Sequence, residues 1–164
     1  MADFSQLKKL DVTDASEAEY VFSDIVIGRT ADGDDICPSI WFRPMTDANT
    51  AYLNERVRVA VERAEKANKE TKSERRARVL SSQQLEEDRD LDRHLMAKTC
   101  AIRWGTPMPD ADGNTHDLDE EQALAFLTAL PGWIFDGCRG FCSNVYNFVD
   151  RRALIGDPDK LGNS

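Results

Sequence analysis

Apolar positions repeat with two different periods along this chain, and the switch between them divides it. Over residues 20–27 the run YVFSDIVI is crowded with β-branched and aromatic residues, the composition of a strand. The Asp32-Gly33 step within residues 29–35 marks a turn. Residues 36–45, ICPSIWFRPM, form a second strand, which Pro38 and Pro44 bound or confine to an edge. Together they predict an antiparallel hairpin over 20–45. An isolated hairpin is marginal in water, so it must pack on helices or on another copy. Residues 1–19 are polar, with only Phe4, Leu7 and Leu10 apolar, and read as a loosely ordered lead-in holding at most a short helical turn.

Beyond residue 45 the period becomes helical. Thr46 or Asp47 offers a cap. Leu53, Val57, Ala60, Ala64 and Ala67 then recur at intervals of 4, 3, 4 and 3, a heptad-like seam that is thin because three members are Ala. No Pro or Gly occurs between residues 48 and 103. Residues 46–104 therefore read as two charged helices, broken near Ser73 or at Ser81-Ser82, with Ser82 as the second cap. The second helix shows Leu91, Leu95, Lys98 and Ile102 on one face, flanked by Met96 and Ala101. Helices this polar need packing partners, because propensity alone is weak.

Residues 105–150 read as a loop and a helical hairpin. Two prolines and Asp112-Gly113 make residues 105–116 a loop or small turn. Asp110, Asp112, Asn114 and Asp117 are out of register with an EF-hand loop, so calcium is not expected. Asp117 with Glu120 makes a capping-box-like start for a helix that carries Ala123, Leu124 and Leu127 to about Leu130. Pro131-Gly132 breaks it. A short helix over 133–143 buries Ile134, Cys138, Phe141 and Cys142, and residues 144–148 close it. Residues 151–164 read as a flexible tail. The fold class expected is α+β in one domain spanning 1–164: a small N-terminal antiparallel sheet followed by a mainly helical C-terminal part.

Composition narrows the function. Thirty-one per cent of the residues are charged and the net charge is −9, which argues against general nucleic-acid affinity. Residues 55–78 run the other way, with nine Lys or Arg against five Glu. This basic middle is read first as a solvated helix laced with i,i+4 pairs, and otherwise as a surface for self-association or a partner. No apolar run approaches the roughly 20 residues of a membrane span. The N-terminus lacks a secretory h-region, so a cytoplasmic location is expected. A zinc site from Cys100, Cys138, Cys142 and His94 would have no standard spacing, and Cys138 and Cys142 read as small buried hydrophobes. No nucleophile motif, phosphate loop or cofactor signature is present, so neither catalytic residues nor a cofactor are expected.

Large rings concentrate late in the chain: Trp133, Phe135, Phe141, Tyr146 and Phe148 follow Phe126 closely. Such rings form a core or grip a partner. Phe126, Ile134 and Phe141 would face inward, whereas Trp133 and Phe135, two apart, cannot share a helix face. The ordered blocks CAIRW (100–104), DADGN (110–114), EEQAL (120–124), ALP (129–131), WIF (133–135), Phe141-Cys142 and Asn147-Phe148 resemble the tail assembly chaperones of long-tailed bacteriophages. The likeness covers residues 20–150 in layout and 98–148 in detail. It implies a non-catalytic assembly factor of the host cytoplasm that binds the tape measure protein and helps the tail tube protein polymerise around it. The partner-binding residues expected are Trp133, Phe135, Phe141, Phe148 and Trp104. The competing reading is a phage structural component: a head–tail connector, adaptor or decoration protein.

Overall fold

The structure, a computed structural model, describes residues 5–79 and 82–150. The Ser81 break, the Ser82 side chain and the tail 151–164 lie outside the described residues. The fold is α+β. Five strands come first and in the middle: β1 (Ala18–Val21), β2 (Gly28–Arg29), β3 (Asp35–Ile36), β4 (Ser39–Phe42) and β5 (Ala101–Thr106). Between β4 and β5 lie three helices, α1 (Thr50–Lys69), α2 (Lys72–Val79) and α3 (Ser82–Thr99). After β5 come α4 (Glu120–Ala129) and α5 (Gly132–Ser143). The lead-in carries a 3₁₀ helix over Ser5–Leu10.

The hairpin exists, but in two pieces. β1 pairs antiparallel with β4, Ala18 opposite Phe42 and Val21 opposite Ser39, while β2 and β3 form a separate two-residue ladder. The expected strand over 20–27 stops at Val21 for two reasons. Pro38 opposite it has no N–H to give and instead accepts from the Phe22 N–H. The chain then turns at Ser23-Asp24, closed by Ile25 N–H to Phe22 C=O. The Asp-Gly turn holds: Gly33 sits at φ +90°, a region only glycine enters freely, and its N–H reaches the Thr30 carbonyl.

Residues 101–106 are a strand, where the helical period was expected to carry through Ile102. Alternation replaces the period of four once Thr99 ends α3. β5 pairs antiparallel with β4, giving the sheet order β1-β4-β5. A buried node fastens the edge: the Ser39 hydroxyl donates to Glu19 at 2.6 Å and accepts the Thr106 N–H at 2.7 Å. Gly105 makes room for it, because a Cβ there would lie 2.5 Å from Ser39 Oγ.

The lead-in is pinned rather than loose, since Asp14 accepts both the N–H and the hydroxyl of Thr50 at the start of α1. The cap itself is Asn49, not Thr46 or Asp47. α1 also turns the opposite face inward from the one its heptad seam predicts. Tyr52, Glu55 and Val59 face α3, while Leu53, Val57, Ala60 and Ala64 are exposed. Tyr52 and Val59 pack into the core and Glu55 bonds Lys98 of the facing helix, which together hold this rotation and leave Leu53 and Val57 in solvent. The first helix breaks at Glu70-Thr71, a few residues before Ser73. Its C-terminal half is exposed, so α1 and α2 form an arm.

Glu55 ties this arm to α3 by accepting from Lys98 at 2.9 Å while also holding Arg58. These bonds, Arg58 first and then Lys98, hold the Glu55 carboxyl down at about 2 against an ordinary value of 4.5. A depressed folded value means the contribution is complete above pH 4.5 and is lost as pH falls through about 2. In acid titrations of melting temperature, Glu55→Gln should therefore flatten the fall between pH 4.5 and 2 relative to the native chain.

The core gathers Phe22, Ile40 and Phe42 from the sheet side with Leu95 and Met96 of α3, Leu127 of α4 and Ile134, Phe135 and Cys138 of α5. α4 packs on α3 and is capped by Asp119, whose side chain accepts the Gln122 N–H, rather than by the Asp117–Glu120 pair. Pro131 ends α4 and caps α5. Arg89–Asp136 and Arg139–Asp92 ion pairs bind α5 to α3 at 2.8 and 2.9 Å.

Candidate partner-binding surface

The five rings expected to grip a partner do not form one surface. Phe135 is 0% exposed and lies in the core beneath the Arg93 guanidinium, 4.9 Å from its ring centre. Phe148 is also buried. Phe141 is half-buried between Tyr20 and Phe148. Trp133, by contrast, is 64% exposed on the opposite side of α5 from Phe135. The helical period of about 3.6 residues forces that separation for positions two apart.

Most of these rings belong to a continuous ladder. Phe148 touches Phe141, Phe141 touches Tyr20, Tyr20 meets Phe22 edge-on, Phe22 meets Phe126, and Phe126 meets Trp104. The last contact is T-shaped at 5.2 Å. Edge-to-face geometry suits the ring quadrupole and adds to the area buried. The ladder runs from the C-terminal closure of α5 to the surface, where Trp104 and Phe126 emerge half-buried.

There the structure opens a furrow along α4. Gln122, Ala125, Phe126 and Ala129 lie on one helix face at i, i+3, i+4 and i+7. Two hollows meet over this face, of about 160 and 460 Å³, and share Met108 and Phe126 as a common wall. The first is closed by Trp104, Pro109, Asp110 and His116. The second is closed by Ile25 and Val26 from the segment between β1 and β2, and by Leu130, Pro131 and Ile134. Val26, Met108, Ala125 and Ala129 are exposed, so the furrow is apolar and open to solvent. Of the five expected rings, Trp104 alone lines it. Sequence reasoning missed Ile25, Val26 and Met108, which it placed in a strand and a loop. For Met108 the signal was an apolar side chain in an otherwise polar loop.

The loop that walls the first hollow is rigidly built. Asp110 Oδ1 accepts the N–H groups of Asp112 and Asn114, its Oδ2 meets His116 Nε2 at 2.8 Å, and Gly113 takes φ +83°. The His116 bond, followed by these backbone donors, holds the Asp110 carboxyl below its ordinary value.

The cysteines are packing groups. Cys100, Cys138 and Cys142 are 0% exposed and mutually close, and burial pushes Cys100 up to about 11 and Cys142 upward as well. His94 is exposed and bonded to the Asp90 carbonyl, away from the thiols. Among the described residues no three His, Cys, Asp or Glu side chains converge to hold a metal ion, and no helix is long and apolar enough to cross a membrane. No protein-family model, curated protein or solved structure matches the chain.

Proposed function

We propose that this protein is a non-catalytic tail assembly chaperone of a long-tailed bacteriophage. It acts in the host cytoplasm, binding the tape measure protein and assisting assembly of the tail tube. The observation that carries the reading is the open apolar furrow along α4, to which the C-terminal blocks that resemble that family contribute Trp104, Asp110, Gln122, Ala129 and Ile134. An open apolar channel on a helix face is a feature that a protein binding a helical client can use. The exposed Trp133 adds a second apolar contact for a client.

Co-expression tests the proposal. The tape measure protein of the same phage, made together with this chain, should shift from the insoluble to the soluble fraction and co-purify with it. An unchanged soluble fraction counts against a chaperone. Purified phage particles separate this reading from a structural component. A chaperone is missing from them, whereas a connector, adaptor or decoration protein is present in fixed copy number.

A further inference from the structure

The furrow also specifies what fits it. Its two hollows are floored by Ala125 and Ala129, one helical turn apart and so about 6 Å along α4. Met108 and Phe126 stand between them. An occupant must therefore offer two large apolar side chains spaced by about 6 Å, the separation of positions i and i+4 on an α-helix.

The charge around the furrow is one-sided. Asp24 borders the second hollow and Asp110 the first, and neither hollow is lined by Lys or Arg. Asp24 is exposed and forms no ion pair among the described residues. Asp110 is a carboxylate bonded to His116 in the same hollow. Both ends of an apolar channel thus carry negative potential, which favours a segment with cations at each end and disfavours one with anions.

We infer that the furrow takes a short amphipathic helix that seats two large apolar side chains one turn apart and carries Lys or Arg at its ends. The inference rests on the chaperone reading only in naming the client's contact segment, since the furrow's shape and charge hold without it. Apolar burial supplies the affinity and the acidic ends supply selection.

The probe is an Ala-based peptide of about 15 residues with Leu at two positions four apart and Lys at both ends, because shorter helices are marginal in water. Its twin carries Glu in place of Lys. A third version has Pro at the centre. Fluorescence anisotropy with the full chain should give the Lys peptide an affinity at least about tenfold above the Glu twin at low salt, a gap that narrows as salt rises. The Pro version should not bind.

Ala125→Trp and Ala129→Trp fill the hollows from exposed positions. Each should weaken the Lys peptide by about tenfold or more without lowering the melting temperature. Val26→Lys, on the opposite wall and exposed, removes an apolar contact and sets a cation against the peptide's own, and should weaken the Lys peptide likewise if either tryptophan disturbs folding. Equal binding of the Lys and Glu peptides, full binding of the Pro peptide, or native affinity in the filled variants each overturns the inference. The outcomes also separate it from the chaperone proposal. Selective peptide binding without any gain in client solubility supports the furrow and removes the chaperone. A solubilised client with no peptide binding does the reverse.

Discussion

Phe135→Ala should cost this protein about 3–5 kcal/mol of stability, whereas Trp133→Ala, two residues away, should cost under about 1 kcal/mol. The ring of Phe135 is fully buried at the junction of α5 and α3, so its deletion leaves a void that the packed helices cannot fill. It also removes the apolar surface beneath the Arg93 guanidinium, a contact worth about 0.5–2 kcal/mol. Arg93 is itself buried and keeps only its bond to Asp90. A loss of that size consumes much of the roughly 5–15 kcal/mol by which a domain is stable. In thermal denaturation the Phe135 variant should melt about 6–20 °C below the native protein, at roughly 2–4 °C per kcal/mol. Trp133 is solvent-exposed and leaves no cavity. If Trp133→Ala lowers the midpoint as far as Phe135→Ala, the orientation of α5 described above is wrong.

The second large effect is at Asn49. This side chain is 1% exposed and does two jobs at once. Its carbonyl accepts the Tyr52 N–H and so caps α1, and its amide donates to the Thr99 carbonyl at 3.0 Å, where α3 ends. Asn49→Ala loses a cap worth about 0.5–2 kcal/mol and orphans a buried carbonyl at a further cost of about 1–3 kcal/mol. A total of about 1.5–5 kcal/mol should appear in urea unfolding. Asn49→Asp gives the sharper result. At an exposed cap Asp and Asn are nearly equivalent. Here the new carboxylate oxygen would face the Thr99 carbonyl with no proton between them, inside the core. Asp should therefore rescue none of the loss, and recovery of native stability by Asp would show that the α3 contact contributes nothing.

What the sequence made legible was local. The Asp32-Gly33 and Asp112-Gly113 turns, the Pro131-Gly132 break, the buried side of α5 and the opposed faces of Trp133 and Phe135 all follow from one or a few neighbouring residues. The split hairpin was hidden because Pro38 acts on Phe22 across the ladder, sixteen positions away in sequence. β5 was hidden because Leu95 and Ile102 sit at helical spacing by coincidence, and pairing with β4 decides the matter. The rotation of α1 was misread because counting apolar positions favoured the alanine seam, whereas packing favoured Tyr52. The furrow was least visible. Its walls come from the segment after β1, the loop after β5 and two helices, and no single window holds more than one of them.

The placement of α1, α2 and α3 between two hydrogen-bonded strands has one more consequence. The chain leaves the sheet at Arg43 and returns at Cys100, where the Arg43 N–H donates to the Cys100 carbonyl at 2.8 Å. Everything between departs from and comes back to a single point. The first turn of α1 and the last turns of α3 are anchored in the core by Tyr52, Leu95 and Met96. The stretch beyond them is a detour whose length the sheet does not sense. The body is thus held by core packing, and the outer arm by helix propensity and by surface ion pairs to α3 such as Arg63–Asp88.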